Sequence, residues 1–496
     1  MRNRDAPMSS AQPLSARQSA PQAFRARAPF EWQANRRGGF GSWQDRRDPR
    51  QRLDSFPMWR SIYTAIWILA LPLALLRVGW RGLSQRPYWQ GVGERLSLYR
   101  NPPAIDRPIW IHAVSVGETR AAQPLIEALL ARSGQTRILL TQMTPTGRET
   151  AAELFRHHGD RVRLAYLPWD LPWFARRFLH HFSPTLGAVM ETEVWPNLIF
   201  EARAMDIPMA LVNARLSPRS AQGYGRLGTF GKAVFGAFDL VAAQTDADAR
   251  RLLACGANAP EVTGNLKFDI LPPPRQLDLA QTFRKWIGGR RTILAASTRE
   301  GEEVPLMTAF MKQRHPGDLL ILVPRHPHRF IEVAEQARSR GLRIALRSDN
   351  RMIDHAIDVL VGDSMGEMFA YYAAADIALI GGSWQPLGGQ NLIESCAVGT
   401  PVVIGPHTFN FADVSRLALE AGAAVRAENE DDGMQTALDL LDRPLELTLM
   451  ADAGLAFARA HRGATERTVH LLEGWIHPDQ IAPGANICSH GSSSGA

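Results

Sequence analysis

PIWIHAVSVGETRAAQPLIEALLAR, residues 108–132, places a short apolar run directly before a helical pattern. The run PIWIHAV (108–114) predicts a buried strand, because it is almost continuously apolar and too short for a helix. In TRAAQPLIEALLAR the apolar residues recur at helical spacing, and Gly117 allows a tight turn between the two elements. A strand that feeds a helix in this way is the building unit of a parallel sheet covered by helices.

The same unit recurs along both halves of the chain. Further strands are predicted in the first half at 137–142, 163–168, 186–191, 209–213 and 239–244. After the break DILPPPRQLD (269–278), strands are predicted at 291–297, 318–324, 357–363, 375–382 and 400–405. This alternation predicts an α/β protein of two doubly wound halves joined by a proline-rich hinge. Ligands of this architecture bind at the carboxyl ends of the strands, here in a cleft between the halves.

Charge and cysteine content limit the function classes. The net charge of +7 is accounted for by residues 1–60, which hold twelve arginines, no lysine and five acidic residues. The remaining chain is neutral, so the composition predicts no nucleic-acid partner, whereas an arginine-rich segment would favour an acidic lipid surface. The three cysteines, Cys255, Cys396 and Cys488, lie far apart, with no spacing typical of a zinc site or a disulfide framework.

The segment MWRSIYTAIWILALPLALLRVGWRG (58–82) predicts a membrane-anchor helix. Its uncharged core between Arg60 and Arg77 covers about 24 Å, and flanking Arg and Trp side chains can reach the two interfaces. Apolar residues on every side of the helix argue against a helix that lies flat on a membrane. A buried helix of the soluble part is the alternative. The arginine-rich residues before it and the tail after residue 480 are predicted to be disordered.

Unusual residues follow the predicted strands of the first half, at the ligand-facing end. Glu118, at the start of the helix after strand 108–114, is a candidate general base, although a helix cap is the plainer interpretation. METEVWPN (190–197) brings two glutamates, Glu191 and Glu193, to the end of another strand. GNLKFD (264–269) places Lys267 just before the hinge, where an ordinary solvent-exposed lysine is the alternative.

The second half offers features of an anion and nucleotide site. ASTREGEE (296–303) opens a helix near Arg299, and VPRHPHRF (323–330) presents Arg325 and His326 after a strand. GDSMGE (362–367) leads into a helix start, whose free N–H groups attract anions. The chain has neither a P-loop nor a dinucleotide fingerprint, and no acidic or histidine motif predicts a metal.

The glycine-rich segment GGSWQPLGGQNLIESCAVGTPVVIGP (381–406) completes the predicted pocket. Gly388 and Gly389 would let the backbone approach a ligand, although tight turns between buried strands would also explain the glycines. Asn391 and Glu394 follow on the first turn of the next helix. A carboxylate there can accept hydrogen bonds from both hydroxyls of a ribose, so Glu394 is predicted to bind a nucleotide sugar.

Together these segments resemble the 3-deoxy-D-manno-oct-2-ulosonic acid (Kdo) transferases of Gram-negative bacteria. The resemblance runs from about residue 58 to 475 and rests on HAVSVGE, TPTGRETA, METEVWPN, NARLSPRS, GNLKFD, STREGEE, PRHP, GDSMGE and GGQNLIESCAVGTPVVIGPHTFNF, in that order. It implies a GT-B fold of two Rossmann-like domains on a single N-terminal anchor in the bacterial inner membrane, with the catalytic domains on the cytoplasmic side. It implies inverting transfer of Kdo from CMP-Kdo to a lipid A precursor of lipopolysaccharide, with no metal and no cofactor.

The resemblance also assigns roles to residues. Glu118 matches the catalytic proton acceptor, and Lys267 and Glu191, with Glu193 as the less favoured choice, match residues that stabilise the transition state. Arg299 is a further candidate. The matches to the CMP-binding segments are Arg325, His326, Met365, Gly366, Glu367, Asn391, Leu392, Ile393 and Glu394. The chemistry suits a reaction in which a hydroxyl loses a proton and a phosphate leaves.

Two departures from the family pattern stand out. Gln390 occupies a position where the family usually has histidine, and 57 residues precede Met58, where the family usually begins close to the apolar helix. Either the extension is lineage-specific or translation begins at Met58. The predicted division is an extension (1–57), an anchor (58–80), an acceptor-binding domain (81–270), a nucleotide-sugar-binding domain (271–480) and a tail (481–496). A GT-B enzyme using another nucleotide sugar, a sugar-nucleotide epimerase and a non-catalytic membrane scaffold are the alternatives.

Overall fold

The computed structural model describes residues 57–84, 86–99 and 105–476. The predicted disorder of the amino-terminal extension and of the tail after residue 480 therefore lies outside the described residues. Two parallel seven-stranded sheets, each flanked by helices, make up the body of the chain. This is the predicted pair of Rossmann-like halves, here called the first and second lobes, and the predicted fold class is confirmed.

The first sheet has the strand order β3-β2-β1-β4-β5-β6-β7. In the register of its centre, Ile109 of β1 lies between Ile138 of β2 and Leu186 of β4. Chain connections leave the central strand in both directions, which is the doubly wound arrangement. The strands β1 to β7 are Ile109–His112, Ile138–Gln142, Val162–Tyr166, Leu186–Met190, Met209–Ala214, Leu240–Ala243 and Glu261–Val262.

The second sheet has the order β10-β11-β9-β8-β12-β13-β14. Its strands β8 to β14 are Thr292–Thr298, Leu319–Pro324, Ile344–Leu346, Val359–Val361, Ile377–Ile380, Val402–Ile404 and Ala424–Arg426. The sequence analysis missed β7, β10 and β14, which all lie at sheet edges. Each is only two or three residues long, so its apolar pattern is too short to be recognised.

Helices connect the strands in both lobes. The α-helices α1 to α18 are Pro57–Ser84, Val92–Arg95, Val116–Arg132, Pro145–Leu154, Pro172–Phe182, Pro196–Ala204, Pro218–Arg226, Gly228–Phe235, Asp246–Ala254, Pro274–Ile287, Glu303–Gln313, Phe330–Ser339, Met368–Ala374, Ile393–Val398, Ala412–Glu420, Glu430–Leu441, Pro444–Ala460 and Ala464–Leu472. Short 3-10 helices are Arg86–Trp89, Arg156–Arg161, Leu266–Asp269, Pro327–Arg329, Arg347–Asp349, Phe409–Phe411 and Glu473–Trp475.

Alternate residues of each strand enter different helix layers. In β1, Trp110 packs with Phe178 on one face of the sheet, whereas Ile109 and Ile111 pack with Leu125 on the other. All of these side chains are fully buried. Full burial of such a side chain is worth about 1.5–3 kcal/mol. Both faces of the strand must therefore be apolar, which explains why these segments are continuous apolar runs in the sequence.

The chain returns to the first lobe after building the second. Ala464 and Leu472 of α18 pack in the same apolar cluster as Leu266, and the Asp269 carboxylate accepts the N–H groups of Gly463 and Thr465 at 2.6 and 2.5 Å. The predicted division assigns this helix to the second domain, although it packs on the first lobe. The domain boundaries themselves stay a prediction.

The long apolar helix is present as α1, Pro57–Ser84, slightly longer than the predicted 58–80. Its segment Met58–Leu83 has a mean hydropathy of 1.8 and is long and apolar enough to cross a membrane by length and composition. Most of its large apolar side chains are exposed. These properties exclude the alternative of a helix buried in the soluble part and are consistent with a membrane anchor.

Candidate active site

A cleft of about 640 Å³ lies between the two lobes at the carboxyl ends of their central strands. The first lobe and the hinge contribute Gly117, Arg120 and Lys267, and the second lobe contributes Ser297, Arg325, Met365, Gly366, Gln390, Asn391, Glu394 and Phe411. The cleft is therefore where the doubly wound architecture places a ligand site. It brings the cationic side chains Arg120, Lys267 and Arg325 together with carboxylates that include Glu394 from distant parts of the sequence.

Glu118 lies in the first turn of α3, directly after β1. Its carboxylate accepts the backbone N–H of Val114 at 2.8 Å and the hydroxyl of Ser115 at 3.2 Å. Burial raises the pKa of Glu118 to about 7, and the negative charges of Glu191 and Glu193 add to the rise. A carboxyl group with such a pKa can exchange a proton near neutral pH, which a general base must do.

Glu191 and Lys267 form an ion pair at the edge of the cleft. Glu191 follows β4 with a φ of 54°, a left-handed conformation that costs a non-glycine residue about 1–3 kcal/mol. Its Oε1 atom lies 2.9 Å from Lys267 Nζ. The Lys267 ammonium also lies 5.6 Å from the centre of the Phe411 ring, which belongs to the second lobe. The pair therefore joins the end of β4, the hinge and the opposite wall of the cleft.

Glu193 lies two residues beyond Glu191 and is half-buried. Burial raises its pKa, and the charge of Glu191 raises it further. The negative charge of Glu191 thus raises the pKa of both Glu118 and Glu193, although Glu118 follows a different strand. Perturbed carboxyl groups of this kind are typical of functional sites.

Glu394 lies on the first turn of α14, among cationic groups from both lobes. Asn391 donates its side-chain N–H to Glu394 Oε1 at 3.2 Å. Burial raises the pKa of Glu394, whereas the positive charges of Arg120 and Arg325 oppose that rise. Arg120 belongs to α3 of the first lobe, and Arg325 follows β9 of the second. The carboxylate is therefore fixed at a point where both walls of the cleft carry positive charge.

The glycine-rich loop before α14 depends on backbone conformations that favour glycine. Gly382, Gly388 and Gly389 have φ values of 68°, 90° and 78°. A Cβ atom on Gly388 would come within 2.3 Å of Asn410 Nδ2, so the loop also needs space that only glycine leaves. These glycines shape the wall that carries Asn391 and Glu394.

Hydrogen bonds to the Glu302 carboxylate hold this glycine-rich loop in place. Its fully buried carboxylate accepts four backbone N–H groups, those of Arg299 and Gly382 at 2.8 and 2.7 Å, and those of Trp384 and Gln385 at 3.1 and 3.4 Å. A loop with buried N–H groups needs such an acceptor, because an unsatisfied buried donor costs about 1–3 kcal/mol. Glu302 therefore fixes the loop to the end of β8.

Comparisons with known proteins identify the family of this chain. A family model described as "3-Deoxy-D-manno-octulosonic-acid transferase (kdotransferase)" matches residues 90–270. The 3-deoxy-D-manno-octulosonic acid transferase of Bordetella pertussis is 49% identical over 388 residues, 76% of this chain and 89% of that protein. The Haemophilus influenzae enzyme of the same name is 35% identical over 430 residues, 84% of this chain and 99% of that protein. The chain belongs to the Kdo transferase family.

A solved structure supports the fold of this Kdo transferase family member. UDP-GlcNAc 2-epimerase from Neisseria meningitidis, bound to UDP-GlcNAc, aligns with 74% of this chain and 100% of its own, with a TM-score of 0.52 and 15% identity. At that identity the likeness concerns the fold alone. The two-lobed architecture is thus shared with sugar-nucleotide epimerases, while family membership identifies the chain as a glycosyltransferase.

Several residues that the family resemblance assigned to CMP binding do not line the cleft. Glu367 forms an ion pair with Arg347, with both contacts at 3.0 Å, and accepts the Ser364 hydroxyl at 2.6 Å. Leu392 and Ile393 are buried in the core of the second lobe. Their contribution to the site is therefore the position of the loop and helix that carry Asn391 and Glu394. Glu367 likewise fixes the loop that presents Met365 and Gly366.

His326 and Arg299 are also set back from the cleft. The His326 ring stacks on His328, with ring centres 5.5 Å apart. Burial lowers the pKa of His326, and the positive charges of Arg299 and Arg325 lower it further. Arg299 is half-buried, and its backbone N–H is bound by Glu302.

Among the described residues, one side-chain group has the atoms needed to hold a metal ion. It consists of Glu127, His157 and His158, whose ligand atoms lie within 4.8 Å of one another. His158 Nε2 already lies 2.8 Å from Glu127 Oε2, and His157 is largely exposed. The sequence analysis did not find this group, because Glu127 is 30 or more residues from the histidines. The predicted absence of a catalytic metal stays a prediction.

Proposed function

We propose that this Kdo transferase uses CMP-Kdo as donor and a lipid A precursor as acceptor, with inversion and without a metal. The observation that carries the proposal is the cleft itself, which Lys267 lines on one side and Arg325 and Glu394 line on the other. Glu191 reaches this cleft through its contact with Lys267, and Glu118 directly follows the lining residue Gly117. The acceptor hydroxyl passes its proton to the Glu118 carboxylate while its oxygen attacks the anomeric carbon. The bond from that carbon to the phosphate oxygen breaks, and CMP leaves from the opposite face.

The cationic side chains supply the charge that the leaving group needs. Lys267 and Arg325 line the cleft, and the loop with Met365 and Gly366 presents backbone next to them. Positive groups aimed at a departing phosphate lower the barrier, because their attraction grows as negative charge develops on it. In this proposal Glu191 keeps Lys267 in place through their 2.9 Å contact, and Arg120 adds positive charge from the acceptor side.

The helix α1 is proposed to attach the enzyme to the bacterial inner membrane, with both lobes on the cytoplasmic side. Its apolar segment and exposed arginines support attachment. Attachment suits a lipid acceptor, because enzyme and acceptor then meet by diffusion within the membrane plane.

The test of the reaction is transfer by the purified protein from CMP-Kdo to a tetraacylated lipid A precursor, with products read by mass spectrometry. We expect the acceptor to gain the mass of one or more Kdo residues and CMP to be released. A parallel incubation with UDP-GlcNAc examines the shared epimerase fold. Transfer from a UDP-sugar, or an epimerised UDP-GlcNAc without transfer from CMP-Kdo, would contradict the proposal.

Replacing Glu394 by alanine is expected to weaken CMP binding by about 1–3 kcal/mol, roughly 5- to 150-fold, since a hydrogen bond to a charged group is lost. Calorimetric titration with CMP measures the loss. The 2′,3′-dideoxy analogue of CMP lacks both ribose hydroxyls, so its affinity should change little. Glu420→Ala, at an exposed glutamate of the same lobe, is the matched control. Equal losses for both ligands would assign Glu394 to the helix or the phosphate loop.

A further inference from the structure

The first turns of α1 are bound to a polar site on the first lobe. Arg60 contacts Glu201 at 2.5 Å, and the Tyr63 hydroxyl donates to Asp170 at 2.9 Å. Thr64 and the side chain of Asn197 lie 3.2 Å apart. The lobe residues in these contacts, Asp170, Asn197 and Glu201, are all buried. The first turns of α1 are therefore packed into the folded lobe.

The other end of α1 also returns to the first lobe. Trp89 donates its indole N–H to the carbonyl of Gly79 at 3.0 Å and lies directly against Gly82. Two residues later, Gly91 lies so close to the Tyr166 ring that a Cβ atom would come within 2.3 Å of it.

The segment that follows is firmly anchored in the lobe. Glu94 pairs with Arg148 at 2.6 Å, and the Trp169 N–H donates to the carbonyl of Arg95 at 3.0 Å. Trp169 is the neighbour in sequence of Asp170, which binds Tyr63 at the other end of the helix. Both ends of α1 are thus held by the first lobe, the Tyr63 end directly and the Gly82 end through Trp89 and Gly91.

These attachments limit how α1 can meet a bilayer. The helix rises by roughly 28 Å between Tyr63 and Gly82. The two residues from Trp89 to Gly91 span at most about 7 Å, so the Gly82 end stays close to the lobe surface. A spanning helix must separate its ends by a hydrocarbon core of about 30 Å, with the lobe on one side only. A helix held by the same lobe at both ends cannot do so.

We propose that α1 lies in the plane of one lipid leaflet and anchors the enzyme without crossing the membrane. The lipid-facing side carries exposed apolar side chains, among them Leu69 at 78% exposure and Trp80 at 75%. Exposed Arg77, Arg81 and Arg86 lie beside them and match acidic lipid headgroups. Trp173 of the first lobe, three residues after Asp170, is a further exposed aromatic side chain.

This arrangement explains why the sequence argued for a spanning helix. One side of α1 carries a polar stripe at helical spacing, formed by Arg60, Tyr63, Thr64 and Trp67. The first three form hydrogen bonds with the first lobe, and the Trp67 indole N–H donates to the Tyr63 hydroxyl at 2.8 Å. The remaining sides are apolar and left for lipid. From sequence alone the helix looks apolar all round, because the lobe residues that bind the stripe lie more than 100 residues away.

The inference rests on the proposed membrane attachment. It is tested by determining whether residue 55 lies on the same side of the membrane as the first lobe. In the full chain with Cys488→Ser, where Cys255 and Cys396 are buried, single cysteines are placed at Ser55, just before α1, and at Glu261, an exposed residue of the first lobe. Sealed inner-membrane vesicles are treated with an impermeant maleimide, with and without detergent.

We expect Ser55→Cys and Glu261→Cys to be labelled to the same extent, within about twofold, in intact vesicles. Protection of residue 55 until detergent is added, with residue 261 labelled, would overturn the in-plane helix and leave attachment standing. Absence of the protein from the vesicle fraction would overturn attachment itself. Transfer activity of both variants in detergent verifies that they are folded.

Discussion

Glu118→Gln is expected to lower the turnover of Kdo transfer by at least about 10²-fold while the fold and the CMP affinity stay nearly unchanged. The substitution removes the group that would accept the proton of the acceptor hydroxyl. It conserves the local structure, because the glutamine oxygen can still accept the Val114 N–H and its amide can donate to Ser115. Steady-state transfer rates and calorimetric CMP titration measure the two quantities separately.

One control variant and the turnover per folded molecule separate catalysis from helix capping. Glu261→Gln makes the same chemical change at an exposed site of the first lobe and should leave turnover unchanged. If Glu118 served only as a helix cap, Glu118→Gln would keep its turnover per folded molecule, because glutamine conserves the capping contacts. Near-normal turnover in the folded variant would remove Glu118 from the mechanism.

The pH dependence of the unmodified enzyme measures the same role. Because the pKa of Glu118 is about 7, transfer at low substrate should fall as the pH drops below that value, where the carboxyl group becomes protonated. Glu191→Gln removes a negative charge that raises this pKa. The fall in rate on the acidic side of the pH–rate profile, its acidic limb, should therefore move to lower pH, even though the overall rate also falls. In Glu118→Gln the limb should disappear from the residual activity.

Much of the fold could be predicted from the sequence, because buried parallel strands have a strong local signal. Runs such as PIWIHAV and DLLILVP are apolar on both faces since each face meets a helix layer. The edge strands β7 and β14 have no such signal, because they are only two and three residues long. The return of α18 to the first lobe was likewise not predictable from local pattern, since it depends on contacts with Leu266 and Asp269.

The candidate site likewise contains some residues that the sequence could nominate and others that it could not. Glu118, Lys267 and Glu394 stand in recognisable segments at strand ends, so the sequence could nominate them. Arg120 was not nominated, because only the closure of two lobes places it near Glu394. Glu302 was overlooked within STREGEE, since nothing in that segment indicates that its partners are N–H groups about 80 residues later. Residues that act through distant backbone contacts leave little trace in local sequence.

Glu302→Ala is expected to weaken CMP binding at least about tenfold and to destabilise the second lobe. Removing the carboxylate leaves the N–H groups of Gly382 and Trp384 buried without an acceptor, at about 1–3 kcal/mol for each unsatisfied group. A loss of about 3 kcal/mol would lower the melting temperature by roughly 6–12 °C in a domain of this size. The loop would then no longer hold Asn391 and Glu394 in one position.

Differential scanning calorimetry and CMP titration measure these two effects on the same preparation. Glu300→Ala, two residues earlier and exposed, is the matched control and should change neither. Glu302→Gln should resemble Glu302→Ala, because its amide NH₂ would face backbone N–H donors where the carboxylate offers a second acceptor oxygen. This contrasts with Glu118, where glutamine conserves the contacts. A lowered melting temperature with unchanged CMP affinity below the transition would show that Glu302 stabilises the lobe without positioning the nucleotide loop.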